Sequence, residues 1–434
     1  MSPELIGWLG LIIFVILLFT GIPIIYTLAI VGFGGFGLIT GFGPAAKTLG
    51  ITFFSNLASN GFAVVPLFLL MGYFMHYSGV VSNLFTIARK WLGHITGGLP
   101  IATVLGGVGF SAVSGSGLAS TATLARVTVP DMIKNGVDKK LAYGVVTSTG
   151  PLAQMIPPST LMIIYAILAE ESISKLLIGG LIPGLVVAAL YILMIYIRVK
   201  VNPNLSKKLE KVSLKERIVS LKDIWGFFLI VSFVIGGIYT GLFTPTEAGA
   251  MGAFAAMILA IFRRKFNFKT IKLSILETVR TTSMVFMILG SSFIFGSFLA
   301  ITRLPTKIST FLTSLPVPSI VIIIGIIIFF LILGMFIDML AAMFITLPII
   351  LPAVELMGYD MIWFGVMIVF LAEVALVTPP LGISLFIVKG VIKDSDFTDI
   401  IKGSIPFIAI DLVAVALFLI FPWLITLLPN LMSG

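Results

Sequence analysis

The chain has 434 residues, of which 59% are hydrophobic and 10% charged, with 27 Lys and Arg against 18 Asp and Glu and no cysteine. A soluble domain carries about a quarter of its residues as charges, so a water-exposed globular protein is excluded; the missing cysteine excludes disulfides, iron–sulfur clusters and thiol chemistry. The net charge of +9 fits basic residues gathered in cytoplasmic loops of a membrane protein better than nucleic-acid binding.

At about 20 residues per span, the chain has room for around a dozen membrane elements. Runs such as LIGWLGLIIFVILLF (5–19) and IVIIIGIIIFFLIL (320–333) are continuously apolar, which points to helices and against an alternating β-barrel. The start, MSPELIGW, has no basic flank and no small-residue cleavage site, so it reads as a first span and not a signal that is removed. The first half then gives spans at 5–20, 22–42 and 60–80, a broken pair at 97–130, a long interrupted span at 139–169 and a span at 176–197. The polar connector 198–223 holds eight Lys and Arg and three Asp and Glu, and its LKERIVSLKD end reads as a short surface helix. The second half gives spans at 224–242, 245–262 and 280–300, a broken pair at 317–356, an interrupted span at 360–390 and a last span at 404–428.

The two halves match one another. A shift of 222 residues brings VPDMIKNGVDKKLAYG (129–144) onto LPAVELMGYDMIWFGV (351–366), so that Pro130, Gly136 and Asp138 meet Pro352, Gly358 and Asp360. The same shift puts Pro157-Pro158 on Pro379-Pro380 and Pro23 on Pro245. The chain is therefore expected to be two homologous repeats, 1–197 and 224–434, joined by the basic segment 198–223.

If each broken pair is a re-entrant hairpin, each repeat crosses five times and the two have opposite topology. With both termini periplasmic, the cytoplasmic segments 85–95, 126–140, 198–223, 263–272 and 389–402 hold 22 of the 27 Lys and Arg, as the positive-inside rule requires. All five Trp fall near expected span ends, as interfacial anchors do. The expected fold is thus an all-α polytopic membrane protein of two inverted repeats, each with a re-entrant hairpin and a broken helix.

Interrupted helices at matching positions are the pattern of a secondary transporter. Unwound backbone persists in a membrane only where something other than lipid satisfies it. Each Pro-Pro pair removes two donors and stops the helix; freed carbonyls suit Na⁺, and the N-terminus of the half-helix that follows suits a carboxylate. Opposite the first break lies the tip SAVSGSGLAS (111–120), where Gly115 and Gly117 allow a tight reversal and Ser114 and Ser116 offer hydroxyls. The 222 shift puts Ser116 on Asp338, a carboxylate inside the membrane, and Gly334 stands ready to serve the second tip as the glycines serve the first. Simple packing of small residues is the competing reading for the serines.

Other polar residues carry weaker signals. Glu373, before Pro379, could face a cavity or cap a neighbouring helix; Glu247 in FTPTEAG (243–249) reads as first-turn capping. Asp411 and Arg280 could pair with neighbours or approach the interface, and His76 and His94 are single and far apart, against a metal site. GFGGFG (32–37) matches a dinucleotide fingerprint but lacks its strand and its acidic residue, and reads as helix packing. No protease, hydrolase or P-loop motif is present, so no enzyme is expected.

The stretches SAVSGSGLASTATL, VPDMIKNGVDKKLAYGVV, MIPPSTLMIIYAILAEESISKLLIGGLIPGL, FTPTEAGA, LGMFIDMLAAMFITLPIILP and VTPPLGISLF resemble the large membrane subunit (DctM type) of tripartite ATP-independent periplasmic (TRAP) transporters. The resemblance covers nearly the whole chain. Gly117 and Met339 depart from residues common in the family, a serine and a proline, and bear on substrate choice.

The resemblance implies an inner-membrane symporter that takes up an organic acid with Na⁺ and moves a transport domain like an elevator against a scaffold. It implies two partners, a small four-helix membrane subunit and a periplasmic binding protein that delivers the substrate. It implies substrate contacts at Ser114, Ser116, Ser159, Thr160 and Asp338. For Na⁺ it implies Ser114, Gly115, Ser116, Gly150 and Pro157 in the first half, and Gly334, Asp338, Thr378, Pro379 and Gly382 in the second. A C4-dicarboxylate, sialic acid, another sugar acid or a keto acid all remain open as substrate. The rival readings are a stand-alone Na⁺/dicarboxylate symporter that needs no binding protein, and a channel.

Overall fold

The computed structural model describes residues 1–58, 60–337 and 339–432, and among these the chain is helical with no strand. The first half runs α1 (Pro3–Phe19), α2 (Ile24–Thr40), α3 (Phe42–Leu57), α4 (Val64–Tyr77), α5 (Val80–Leu92), α6 (Gly98–Ser114), α7 (Gly117–Lys134), α8 (Lys139–Thr149), α9 (Thr160–Leu168), α10 (Ile173–Gly179) and α11 (Leu181–Val201). The connector contains α12 (Leu214–Leu221). Then come α13 (Trp225–Tyr239), α14 (Pro245–Phe262), α15 (Phe268–Thr302), α16 (Leu304–Ser314), α17 (Ser319–Phe336), α18 (Met339–Leu356), α19 (Met361–Val377), α20 (Ile383–Val391), α21 (Phe397–Ile420) and α22 (Trp423–Leu431).

Among the described residues, six helices are long and apolar enough to cross a membrane by themselves: Ile173–Val201, α14, α15, α17, α18 and α21. Side chains such as Ile12, Phe54, Leu193 and Phe228 point outward, a surface that water would not tolerate and lipid would.

The motifs that align the halves have local structural reasons. Gly136 and Gly358 take positive φ, 80° and 78°, at the ends of α7 and α18, where a residue without a Cβ closes a helix. Two residues later Asp138 and Asp360 accept the amides of Leu141 at 3.1 Å and Trp363 at 2.8 Å, capping α8 and α19. Helices α7 and α18 start and end 222 residues apart.

Packing sorts the helices into two groups. In the first, α2 lies along α15 and α4 packs between α14 and α15, with α1, α3 and α13 around them. The GFGGFG stretch belongs here as a packing surface: a Cβ on Gly32 would stand 2.8 Å from the Phe295 backbone. In the second group, α8 lies along α21 and α7, α6 packs on α7 and α11, α17 and α21 flank α19, and α20 rests on α7. Polar pairs tie its distant segments, Thr147 Oγ1 to Ser404 Oγ at 2.7 Å among them. Helix α5 spans from α6 to α4, and α16 lies against α18.

The connector is docked along its length. Leu209 N–H donates to Gly93 at 2.9 Å, Asp138 N–H to Leu205 at 2.9 Å, and Trp91 Nε1 to Arg217 at 3.3 Å. Its end forms the expected short helix, α12, capped by Ser213.

Three features differ from the sequence reading. Residues 43–57, left outside the expected spans, belong to α3. The end of the basic segment 263–272, from Phe268 on, is absorbed into α15, which runs unbroken for 35 residues, about 52 Å at the α-helical rise. Trp363 is an interior residue and not an interfacial anchor: it is 2% exposed and its indole donates to the Phe418 carbonyl at 3.0 Å. The other four Trp are partly or well exposed.

Candidate functional site

The first hairpin tip is built by two neighbouring residues. Gly115 closes α6 at φ 58°, a left-handed conformation that suits glycine, and Ser116 caps α7 by accepting the Ala119 amide at 3.4 Å. The tip lies against the first break: a Cβ on Gly115 would stand 2.8 Å from the Pro158 carbonyl oxygen. In that break a 3₁₀ turn (Pro151–Gln154) ends α8's run, Pro157 and Pro158 are buried and joined by a cis peptide, and Ser159 caps α9 by accepting the Met162 amide at 3.2 Å.

Beside the tip lies a cavity of about 680 Å³, within the size range of small-molecule sites. From the second helix group it is lined by Gly115 and Ser116, by Thr123 one face further along α7, by Gln154 and Thr160 of the break, and by Met339, Leu340 and Leu376. From the first group it is lined by Tyr73, His76 and Tyr77 of α4 and by Glu277 and Thr281 of α15. Tyr73 and Thr281 hold each other at 3.0 Å across that wall.

Three helices present their first turns to this space: α7 through Leu118 and Ala119, α9 through Thr160 and Leu161, and α18 through Met339 and Leu340. Helix N-termini carry free amides and partial positive charge, and three that converge make an environment for an anion. No Lys or Arg is among the described lining residues, so backbone dipoles, hydroxyls and the Gln154 amide supply the polarity that favours an anion, against the Glu277 carboxylate on the α15 wall.

The sequence-derived residues therefore divide. Gly115, Ser116 and Thr160 line the cavity. Ser159 is fully buried and serves as a cap, and Pro157 is buried behind it. Gly150 ends α8 against Thr121 of α7, and Gly334 lies within α17, where a Cβ would press on Ala375 at 2.7 Å; neither lines the cavity. In the second break, Thr378 donates its hydroxyl to the Val374 carbonyl at 2.6 Å, Pro379 and Pro380 share a cis peptide, and Gly382 opens α20 at φ 37°. None of the three lines the cavity; Leu376 is the contribution of α19. Ser114 is the last residue of α6, and its side chain, like Asp338 as a whole, lies outside the described residues.

The weaker candidates also find places. Glu247 forms a capping box with Thr244, accepting its amide at 2.9 Å and returning its own to the hydroxyl at 3.3 Å. Asp411 accepts from Tyr191 at 2.5 Å. Glu373 neither faces the cavity nor caps a helix; it is 4% exposed, beside the Met155 amide. His94 sits 3.3 Å from Arg217, and desolvation, then the charges of Arg217 and Lys211, push its pKa down. His76 lines the cavity. The wall formed by α4 and α15 had one faint sequence signal, polar residues spaced at helical intervals (Tyr73, His76, Tyr77; Glu277, Thr281) within or at the edge of apolar spans.

Comparison with known proteins places this architecture. The family model "Tripartite ATP-independent periplasmic transporter, DctM component" matches residues 11–424. The C4-dicarboxylate TRAP transporter large permease protein DctM of Pseudomonas aeruginosa is 34% identical over 92% of this chain and 93% of its own. The sialic acid TRAP transporter large permease protein SiaM of Vibrio cholerae is 31% identical over 100% of this chain and 99% of its own. Among solved structures, the YdaH transporter of Alcanivorax borkumensis superposes with a TM-score of 0.63 over 88% of this chain and 90% of its own, at 14% identity, which is a likeness of fold. The chain belongs to the DctM-component family of tripartite ATP-independent periplasmic transporters, and is a multi-pass membrane transport protein, not an enzyme.

Proposed function

We propose that this chain is the large membrane subunit of a Na⁺-coupled importer of an organic acid, working in a bacterial inner membrane with both termini on the periplasmic side. The observation that carries the reading is the convergence of three helix N-termini, the Gly115–Ser116 tip and the Gln154–Thr160 break on one cavity. An acid carboxylate would sit against the first turns of α7, α9 and α18, with Ser116, Thr160 and Gln154 donating hydrogen bonds. Na⁺ would be held by the oxygens of the two tips and breaks, Ser114 and Asp338 among them, and would assemble the tips around the acid. Because binding coupling is reciprocal, Na⁺ would bind more tightly with substrate present, which is how a Na⁺ gradient drives uptake.

The same cavity supports an elevator. One wall belongs to the helices that carry both hairpins; the other, α4 and α15, belongs to the group packed around α2 and α14. Under this reading the two groups derive from inverted repeats and slide past one another at that boundary. The relatives named for C4-dicarboxylates and for sialic acid make those two acids the first to try. A periplasmic binding protein would deliver the acid, and a small four-helix membrane subunit would brace the α2–α15 group.

The test is uptake of the two acids into proteoliposomes containing this chain, with and without its small subunit and binding protein, under an inward Na⁺ gradient. Uptake that needs both partners and the gradient, and is abolished in folded Ser116→Ala and Asp338→Ala proteins, supports the reading. Equal uptake by the chain alone would make it a stand-alone symporter, and flux indifferent to Na⁺ would make it a channel.

A further inference from the structure

Behind the first break, away from the cavity, the second helix group encloses two carboxylates. Glu373 of α19 is 4% exposed and Asp411 of α21 is 2% exposed, and they lie close enough to act on each other electrostatically. Tyr191 of α11, 2% exposed, donates to Asp411 Oδ1 at 2.5 Å, and its ring packs edge-on against Phe407 at 5.2 Å. Ser148, near the end of α8 and 1% exposed, lies against Tyr191. The three ion pairs among the described residues, Arg89–Asp131, Lys140–Asp399 and Lys307–Glu4, involve neither acid.

With both acids ionised, the pair is costly to bury without a cation, and one oxygen of the cluster lacks a hydrogen bond. Among the described residues, Glu373 Oε1 has no hydrogen-bond partner, and the Ser148 hydroxyl lies within hydrogen-bonding reach of Tyr191. A hard monovalent cation among oxygen ligands answers both deficits: it offsets the charge and takes up the orphaned lone pairs.

We propose that Glu373, Asp411, Tyr191 and Ser148 form a buried Na⁺ site, separate from the hairpin tips. Asp411 is fixed by Tyr191, Glu373 supplies the second carboxylate, and Ser148 supplies a neutral oxygen. Glu373 also lies beside the backbone amide of Met155, two residues before Pro157, and Ser148 lies two residues before the Gly150 end of α8. Filling the site would therefore hold both ends of the first break in place before substrate arrives. The choice of cation rests on the Na⁺ coupling proposed above.

The test is thermal unfolding of the purified full-length chain in detergent, titrated with NaCl against choline chloride at constant ionic strength, at pH 6 and pH 8. Ligand binding to the folded state raises the midpoint in proportion to site saturation. Na⁺ should stabilise the wild-type protein, and Glu373→Gln and Asp411→Asn should each raise the half-saturating Na⁺ concentration at least tenfold. Ser148→Ala should raise it a few-fold, while Ser116→Ala at the tip should keep a Na⁺ response that Glu373→Gln then removes. If wild type shows no Na⁺ response, the Na⁺ coupling itself fails. If wild type responds and Glu373→Gln and Asp411→Asn respond identically, this site alone fails. Stabilisation that follows pH equally in Na⁺ and choline makes the bound species a proton and overturns the proposal. Where the acid variants do not fold, an unchanged half-saturating concentration in Ser148→Ala overturns it.

Discussion

The two Pro-Pro breaks share a motif and a register of 222 residues, yet the fold treats them differently. The first is packed inside the protein: Pro157, Pro158 and Ser159 are buried, a serine caps the helix that follows, and flanking residues Gln154 and Thr160 line the cavity. The second is partly open: Pro380 and Leu381 are exposed, Gly382 begins α20 with no side-chain cap, and Thr378 spends its hydroxyl on Val374. The lesson is that equal sequence motifs do not divide the work of the site equally. Polar groups of the first break face the cavity, whereas α19 offers it Leu376.

That asymmetry can be broken experimentally. The largest effect should come from locking the boundary between the helix groups, since Leu69 of α4 and Ile163 of α9 line one small gap with Gly115 and Pro158. The chain has no cysteine, so a Leu69→Cys/Ile163→Cys pair can be joined specifically by a reducible bis-maleimide linker; uptake should stop, and reductant should restore it. Full uptake by the cross-linked protein would remove the elevator.

Next, Thr160→Val should cut substrate affinity by about tenfold or more, from the loss of a hydrogen bond to a charged group worth about 1.5–3 kcal/mol. Thr378→Val should change it less than threefold. Equal losses would return the second break to the substrate site. Gly115→Ala, forced into a left-handed backbone and pressed on the Pro158 carbonyl, should lower stability by about 1–2 kcal/mol and depress uptake.

Ser159→Ala should cost about 1 kcal/mol as a lost helix cap, seen in thermal unfolding, with a modest effect on uptake. The smallest effect should come from Glu247→Ala in the exposed capping box of α14, with a stability loss below about 1 kcal/mol and unchanged transport.

Much of the fold was legible because broken helices leave strong local marks. The glycine and serine tip put a broken helix pair at 97–130, where the structure has α6 and α7 over 98–134; at the second pair, expected at 317–356, it has α17 and α18 over 319–356. These marks are local chemistry: a residue lacking a Cβ, a cap, a proline without a donor. The continuity of α15 through 268–279 left no such mark, because Lys269, Lys272, Glu277 and Arg280 resemble a loop by charge and a helix by propensity.

The site was legible only where it coincides with a break. Ser116 and Thr160, which line the cavity, stood out because one sits in a hairpin tip and the other follows a break. Tyr73 and Thr281 meet across 208 residues, and Tyr191 and Asp411 across 220, and no local pattern encodes such meetings. Gly150 and Gly334 pack closely and do not line the cavity; glycine serves close helix packing and backbone exposure alike, so the sequence does not separate the two roles.

One measurement tests the central claim directly. Thr123→Cys places a single thiol in the cavity wall of a chain with no other cysteine. Its rate of reaction with a small hydrophilic maleimide can be followed with and without the acid that the reconstituted transporter takes up, in Na⁺ and in K⁺. The expected result is protection by the acid in Na⁺ and none in K⁺. Labelling at one rate under all four conditions, in a protein that still transports, would show that the acid binds elsewhere.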